Sequence, residues 1–196
     1  MATKILVAFY STYGTNHAIA DAAAGAAREA GAEVRLRRFA ETAPRDVVEG
    51  QDAWKAENER QQSIDEISHD DMVWAEGIWI SSPTRYGGAA SQVRAFFDTL
   101  GPLWQQGKLM NKVVTASASA QNVNGGVEMT LLNLYTAVAH WGSIILPAGY
   151  GDPVKFEDGG NPYGFTTNAG GLNDTGRKSI AYQAKRLVEF TGKLAH

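Results

Sequence analysis

The sequence predicts one doubly wound α/β domain over residues 1–196: a five-stranded parallel sheet in the order 2-1-3-4-5, with helices on both faces. Three observations carry this. Four runs are almost continuously apolar and rich in β-branched residues, the composition of strands buried on both sides. A fifth run alternates, as an edge strand does. Helical spacing of apolar residues recurs between the runs, and that alternation demands parallel strands joined by crossover helices.

The first strand is "KILVAFY" (4–10), and residues 17–30 then repeat alanine at helical spacing, a smooth face for close packing on a sheet. "AEVRLRRF" (32–39) is the edge strand. Residues 40–72 are polar and charged, part helix and part exposed loop, and 50–62 match no motif. "EGIWISS" (76–82) is the third strand, followed by a helix over 89–100 carrying Val93, Phe96, Phe97 and Leu100. "KVVTASA" (112–118) is the fourth, followed by a helix over 127–140. "SIILPAG" (143–149) is the fifth, and a last helix spans 176–194. Between them, residues 147–175 are rich in Gly, Pro and Asn. A loop that long inside one domain is functional or disordered, and its aromatics (Tyr150, Phe156, Tyr163, Phe165) favour packing.

Composition narrows the function classes. The chain has 196 residues, is 44% hydrophobic and 20% charged, and has a net charge of −3. These are values of an ordinary soluble domain, with no electrostatic reason to expect nucleic acid or an anionic membrane. Cysteine is absent, which removes disulfides and thiolate metal sites. The four histidines are dispersed and suggest no metal cluster. The chain opens on a strand-like run rather than a charged-then-apolar leader, and no apolar run reaches transmembrane length. The expectation is a cytoplasmic protein.

In this architecture ligands bind outside the carboxyl ends of the strands, beside the switch point between the first and third. Three loops there are chemically distinctive. "STYGTN" (Ser11, Thr12, Tyr13, Gly14, Thr15, Asn16) puts three hydroxyls and a row of N–H groups at a helix N-terminus. It has no lysine, so it is no Walker loop, and it lacks the spacing of a dinucleotide fingerprint. A phosphate held rather than transferred suits it, although locally a Ser-capped turn fits equally. "SSPTRYGG" carries Pro83, Thr84, Arg85, Tyr86 and Gly87 to the same edge, as an irregular turn. "SASAQNVNGG" (Ser117, Ser119, Ala120, Gln121, Asn122, Gly125, Gly126) is small and polar, able to bring backbone N–H groups to a flat ring edge. Trp104 reads as a lid, interface or core residue, and His140 as a helix C-terminal cap, a surface residue or an imidazolium site.

The residues also resemble a known family. "YSTYGTNHAIA", "AETAP", "SPTRYGGAASQVRAFFDTLGPLW", "LAHWGSIILPAGY" and "PYGFTTNAGG" are similar, over essentially the whole chain, to the flavodoxin-like WrbA-type NAD(P)H:quinone oxidoreductases. The resemblance implies a flavodoxin-like fold, FMN as cofactor, NADH or NADPH as co-substrate, a quinone as substrate and a homotetramer. It implies that Ser11 to Asn16 hold the phosphate, that Pro83 to Gly87 lie along the flavin ring, and that Ser117 to Gly126 meet its polar edge. It places His140 near the flavin, as cofactor contact and catalytic residue, and Tyr13 and Trp104 around the substrate pocket. The chain departs from the family at Thr15 and Asn16, where histidine and an aliphatic residue are usual, and in the 117–126 run. The expected function is FMN-dependent two-electron quinone reduction, with both substrates alternating in one site. A one-electron carrier and a non-enzymatic FMN-binding oligomer are the alternatives.

Overall fold

Alternation along the first strand, β1 (Lys4–Phe9), decides the layering. In the computed structural model, which describes residues 2–194, Leu6 and Ala8 enter one apolar layer, while Ile5, Val7 and Phe9 enter the other. A strand buried on both faces has no polar side to give up, hence the unbroken apolar run.

After β1 come α1 (Thr15–Glu29), β2 (Glu33–Arg38) and three short helices, α2 (Arg45–Glu49), α3 (Asp52–Arg60) and α4 (His69–Trp74). The chain continues through β3 (Gly77–Arg85), β4 (Gly88–Ala89), α5 (Ser91–Asp98), α6 (Gly101–Gln105), β5 (Val113–Ala120) and α7 (Val127–His140). It ends with β6 (Ile144–Ile145), β7 (Phe165–Asn168) and α8 (Asp174–Leu194). The sheet runs β2-β1-β3-β5-β6, all parallel, with β4 antiparallel to β3 and β7 parallel to β5.

α1 and α8 cover one face. Ala20, Ala23, Ala24 and Ala27 are buried there, and without bulk beyond Cβ they let α1 lie close to the sheet. A larger side chain at Ala23 would overpack that contact by about 1–3 kcal/mol. α4, α5 and α7 cover the other face, where Val93, Phe97, Leu131 and Leu134 pack on Ile78 and Ile80. Among the described residues no helix is long and apolar enough to cross a membrane.

The expected fifth strand over 143–149 is corrected. Only Ile144 and Ile145 pair with β5, opposite Val113 and Val114. Pro147 has no N–H for the ladder, so the chain leaves the sheet and returns at Phe165, where β7 pairs with Ser117–Ala120. The fifth position is thus filled by two strands in series. The excursion between them is folded rather than loose. It contains a 3-10 turn over Pro153–Phe156. It is fastened by Tyr135 Oη donating to the Tyr163 carbonyl (2.6 Å) and by the Phe165 N–H donating to Gln183 Oε1 (2.8 Å). Lys155, fully buried, pairs with Asp158 (2.5 Å).

Candidate functional site

The carboxyl ends of β1, β3 and β5 open into one cavity of about 370 Å³. Ser11, Thr12, Tyr13, Thr15 and Asn16 line it from the first loop, Pro83, Thr84 and Arg85 from the second, and Ser119, Ala120 and Gln121 from the third. The three loops that the sequence singles out therefore do converge. Trp54 and Ala169 complete the wall, and sequence reasoning missed both.

The first loop is shaped to leave N–H groups free. Gly14 is the N-cap of α1, with φ 95°, a left-handed conformation that glycine adopts without steric cost. No side chain caps the helix, and no acidic residue stands in its first turn. The helix N-terminus therefore faces the cavity with its positive end unanswered, the arrangement of an anion site. The hydroxyls divide their work. Ser11 Oγ accepts from the Gly14 N–H (3.0 Å) and so shapes the turn. Thr12 Oγ1 accepts from Arg85 Nη2 (2.7 Å), which brings a guanidinium to the same spot.

Asn16 lines the cavity as expected but its side chain is bonded elsewhere, and Ser117 does not reach the cavity. Asn16 is 1% exposed, donates from Nδ2 to Ser119 Oγ (2.7 Å) and accepts at Oδ1 from Ser81 Oγ (3.1 Å). Its side chain ties the first loop to β3 and β5 and is spent on that role. Ser117 is fully buried and accepts from Trp79 Nε1 (2.9 Å), so its side chain serves the sheet interior. Asn122, Gly125 and Gly126 are not among the residues that line this cavity. Gly126 opens α7 and borders a second hollow of about 590 Å³, between the start of α7 and residues 158–168.

The second loop is a hairpin rather than an irregular turn. β3 runs on to Arg85, which pairs with Gly88, so Tyr86 and Gly87 form a two-residue turn. Both have positive φ, 49° and 79°, as a type I′ turn requires. A tyrosine in that conformation is strained, and it holds its ring fully in solvent. Such strain is found where a side chain must be displayed.

Tyr86 and Gly87 are not among the residues that line the cavity; its aromatic rim is formed by Trp54 and Tyr13. Glu41, from the "AETAP" run, holds Trp54 in place. It accepts from Trp54 Nε1 (3.0 Å), Tyr10 Oη (2.8 Å) and Gln92 Nε2 (2.7 Å), and from the N–H groups of Thr42 and Ala43. Burial raises the Glu41 carboxyl, but the Ala43 N–H, Gln92, Tyr10 and Trp54 outweigh it and hold the group below its ordinary range. Tyr13 Oη donates to Gln51 Oε1 (2.7 Å). Trp54, Glu57 and Gln61 sit at i, i+3 and i+7, one helical face. That spacing was the available signal in a segment with no motif.

His140 and Trp104 are not at this cavity. α7 starts beside the hairpin, where a Cβ on Gly126 would lie 3.1 Å from Gly87 Cα. Its 14 residues then run about 20 Å toward the amino ends of the strands. His140 is at that distant end, and Trp104 Nε1 donates to its carbonyl (2.9 Å). Both are exposed. Within one chain they form their own pair.

An anion-binding end and a rim of aromatic rings at one cavity fit a molecule with a phosphate at one end and a flat ring at the other, the form of FMN. Comparison with known proteins agrees. Residues 3–151 match the model of the family described as NADPH-dependent FMN reductase. The chain is 54% identical to the NAD(P)H dehydrogenase (quinone) of Deinococcus radiodurans, over 97% of this chain and 96% of that one. It is 37% identical to the protein of that name from Caulobacter vibrioides, over 97% and 98%. In fold it is similar to a flavodoxin, WrbA-like protein from Agrobacterium tumefaciens (TM-score 0.70, 19% identity, 98% and 99% covered). It is also similar to flavodoxin 2 from Bacillus cereus (TM-score 0.63, 16% identity, 96% and 99% covered). The chain has a flavodoxin-like fold and belongs to the NADPH-dependent FMN reductase family, together with relatives named NAD(P)H dehydrogenase (quinone).

Proposed function

We propose that the protein is an FMN-dependent NAD(P)H:quinone oxidoreductase. The observation that carries this is the uncapped N-terminus of α1 facing the same cavity as an aromatic rim, in a chain matched end to end by quinone-reducing relatives. FMN, when bound, supplies the two-electron chemistry between nicotinamide and quinone. The chain supplies position. The N–H groups of the first loop, the hydroxyls of Thr12 and Thr15, and the Arg85 guanidinium hold the phosphate. The third loop meets the polar edge of the ring at Gln121, where a backbone N–H favours negative charge. Tyr13, Trp54 and Tyr86 offer flat apolar surfaces on which a nicotinamide and a quinone stack in turn. One shared pocket makes the kinetics ping-pong.

The proposal includes a homotetramer in which His140 and Trp104 reach the cavity of a neighbouring copy. The length of α7 supports this, since it separates them from the cavity of their own chain. Steady-state turnover of NADH and benzoquinone is the test. Parallel double-reciprocal lines are expected. Absence of turnover without an added reductase would instead indicate a one-electron carrier, and absence of flavin absorbance in protein given FMN would remove the flavoprotein reading. Light scattering tests the tetramer.

A further inference from the structure

α3 packs against the back of the first loop through polar contacts that no part of the reaction explains. His17, in the first turn of α1, is buried and stacked on Phe9 (4.8 Å between centroids, 15° between planes). Its Nδ1 is 2.7 Å from Glu57 Oε1, and its Nε2 is 3.5 Å from Asp21 Oδ2. Gln61, also buried, donates from Nε2 to Glu57 Oε1 (2.8 Å) and to the Ser11 carbonyl (2.8 Å). Arg60 meets the other Glu57 oxygen with Nε (2.8 Å) and Nη2 (2.6 Å).

This cluster touches the turn that presents the N–H groups. A Cβ on Gly14 would lie 3.1 Å from Arg60 Nη2 and 3.2 Å from Glu57 Oε2. A carboxylate next to an anion site is electrostatically adverse unless it is neutralised, because the two charges repel in a poorly screened setting. Here three side chains occupy both of its oxygens. Burial raises the Glu57 carboxyl, and His17, Arg60 and Gln61 more than reverse that. The same helix reaches the ring end, since Trp54 lines the cavity.

We propose that α3 together with Gln61, the residue that follows it, is a positioning arm for the flavin phosphate: Gln61 fixes the Ser11 carbonyl, and the His17–Glu57–Arg60 cluster holds the Gly14 turn in its binding shape. This rests on the reading of Ser11–Asn16 as the phosphate loop. Phosphate affinity is then set partly by residues that do not touch the phosphate.

Riboflavin, which lacks the phosphate, separates positioning from general damage. Apoprotein is titrated with FMN and with riboflavin, following the quenching of flavin fluorescence. The variants are Gln61→Met, which keeps length but loses the donor, and His17→Phe, which keeps the stack on Phe9 but removes one of the three side chains that occupy the Glu57 oxygens. Arg60→Ala is added because Arg60 is largely exposed, so the fold is not at risk. The expected result is an FMN Kd raised about tenfold by each variant, with the riboflavin Kd unchanged. An unchanged FMN Kd in all three overturns the proposal, as does an equal loss for both flavins. If the wild-type protein binds the two flavins equally, the phosphate-loop reading itself fails.

Discussion

Asn16→Leu isolates what holds the three site loops in register. Asn16, at the start of α1, joins Ser81 on β3 to Ser119 on β5 and is almost wholly buried. Leucine keeps the heavy-atom branching of asparagine while removing both its donor and its acceptor, so the main change is polar, with some added bulk. Ser81, at 0% exposure, keeps a hydroxyl hydrogen with no acceptor, and Ser119, at 4%, loses its donor. An orphaned buried polar group costs about 1–3 kcal/mol. Two of them, partly relieved by hydroxyl rotation, give an expected loss of about 2–4 kcal/mol. At this chain length that lowers Tm by roughly 5–15 °C. The companion variant Asn16→Leu/Ser81→Ala/Ser119→Ala removes the orphans and is expected to regain at least half the loss, because an all-apolar replacement is nearly neutral. Urea unfolding of the apoprotein, read at constant m-value, measures both. A single variant as stable as wild type, or a triple variant no better than the single, refutes the reasoning.

Thr12→Val/Thr15→Val is expected to raise the FMN Kd at least tenfold, since hydrogen bonds to a charged group contribute about 1.5–3 kcal/mol each; calorimetric titration measures it, and the apoprotein Tm should move little. Lys155→Met leaves Asp158, 2% exposed, without its cation. Breaking a buried pair costs about 3–5 kcal/mol, so the Tm should fall, and limited proteolysis should cut first within 146–164. Asp71 is buried between Arg35 and Arg37. Burial raises its carboxyl, but Ser68 and the two arginines hold it below its ordinary value of 3.8. Glu41 and Glu57 are likewise held below 4.5. A carboxyl whose pKa is lower folded than unfolded stabilises fully above the unfolded value and loses that contribution as pH falls through the folded one. These groups should thus leave the urea midpoint flat from pH 7 to 5 and lower it below about pH 4.5, with a weaker acid response in Asp71→Asn.

What was legible in the sequence followed from burial and from backbone chemistry. Strands apolar on both faces can only be interior, and loops at their carboxyl ends can only converge, so β1, β3 and β5 and the cavity between them were foreseeable. The family resemblance places Asn16 in the phosphate loop, but its side-chain partners are not legible, because Ser81 and Ser119 are distant in sequence and only the register of β1, β3 and β5 brings them near. Residues 50–62 were opaque for a related reason. Glu57 and Gln61 are charged or polar yet buried, against the usual rule, and only His17, Arg60 and the Ser11 carbonyl make that burial tolerable. The split fifth strand carried a visible cue in Pro147. The return at Phe165 did not, since four residues of "FTTN" are too few for periodicity to mark.

The position of His140 yields the sharpest test of the assembled enzyme. If His140 serves a neighbour's cavity, two inactive chains should complement one another. Chains carrying Thr12→Val/Thr15→Val hold flavin poorly but keep His140. Chains carrying His140→Ala hold flavin but present no imidazole. In a mixed assembly, the intact loop of a His140→Ala chain meets His140 from its neighbour, so one complete site forms. Co-expressed mixed oligomers, separated by two affinity tags, are therefore expected to exceed the quinone turnover of the His140→Ala oligomer per bound flavin. If His140 served its own chain, every flavin-bearing subunit in the mixture would lack it. Turnover would then stay at the His140→Ala level, and α7 would have to bend far from its observed course to bring that residue to its own cavity.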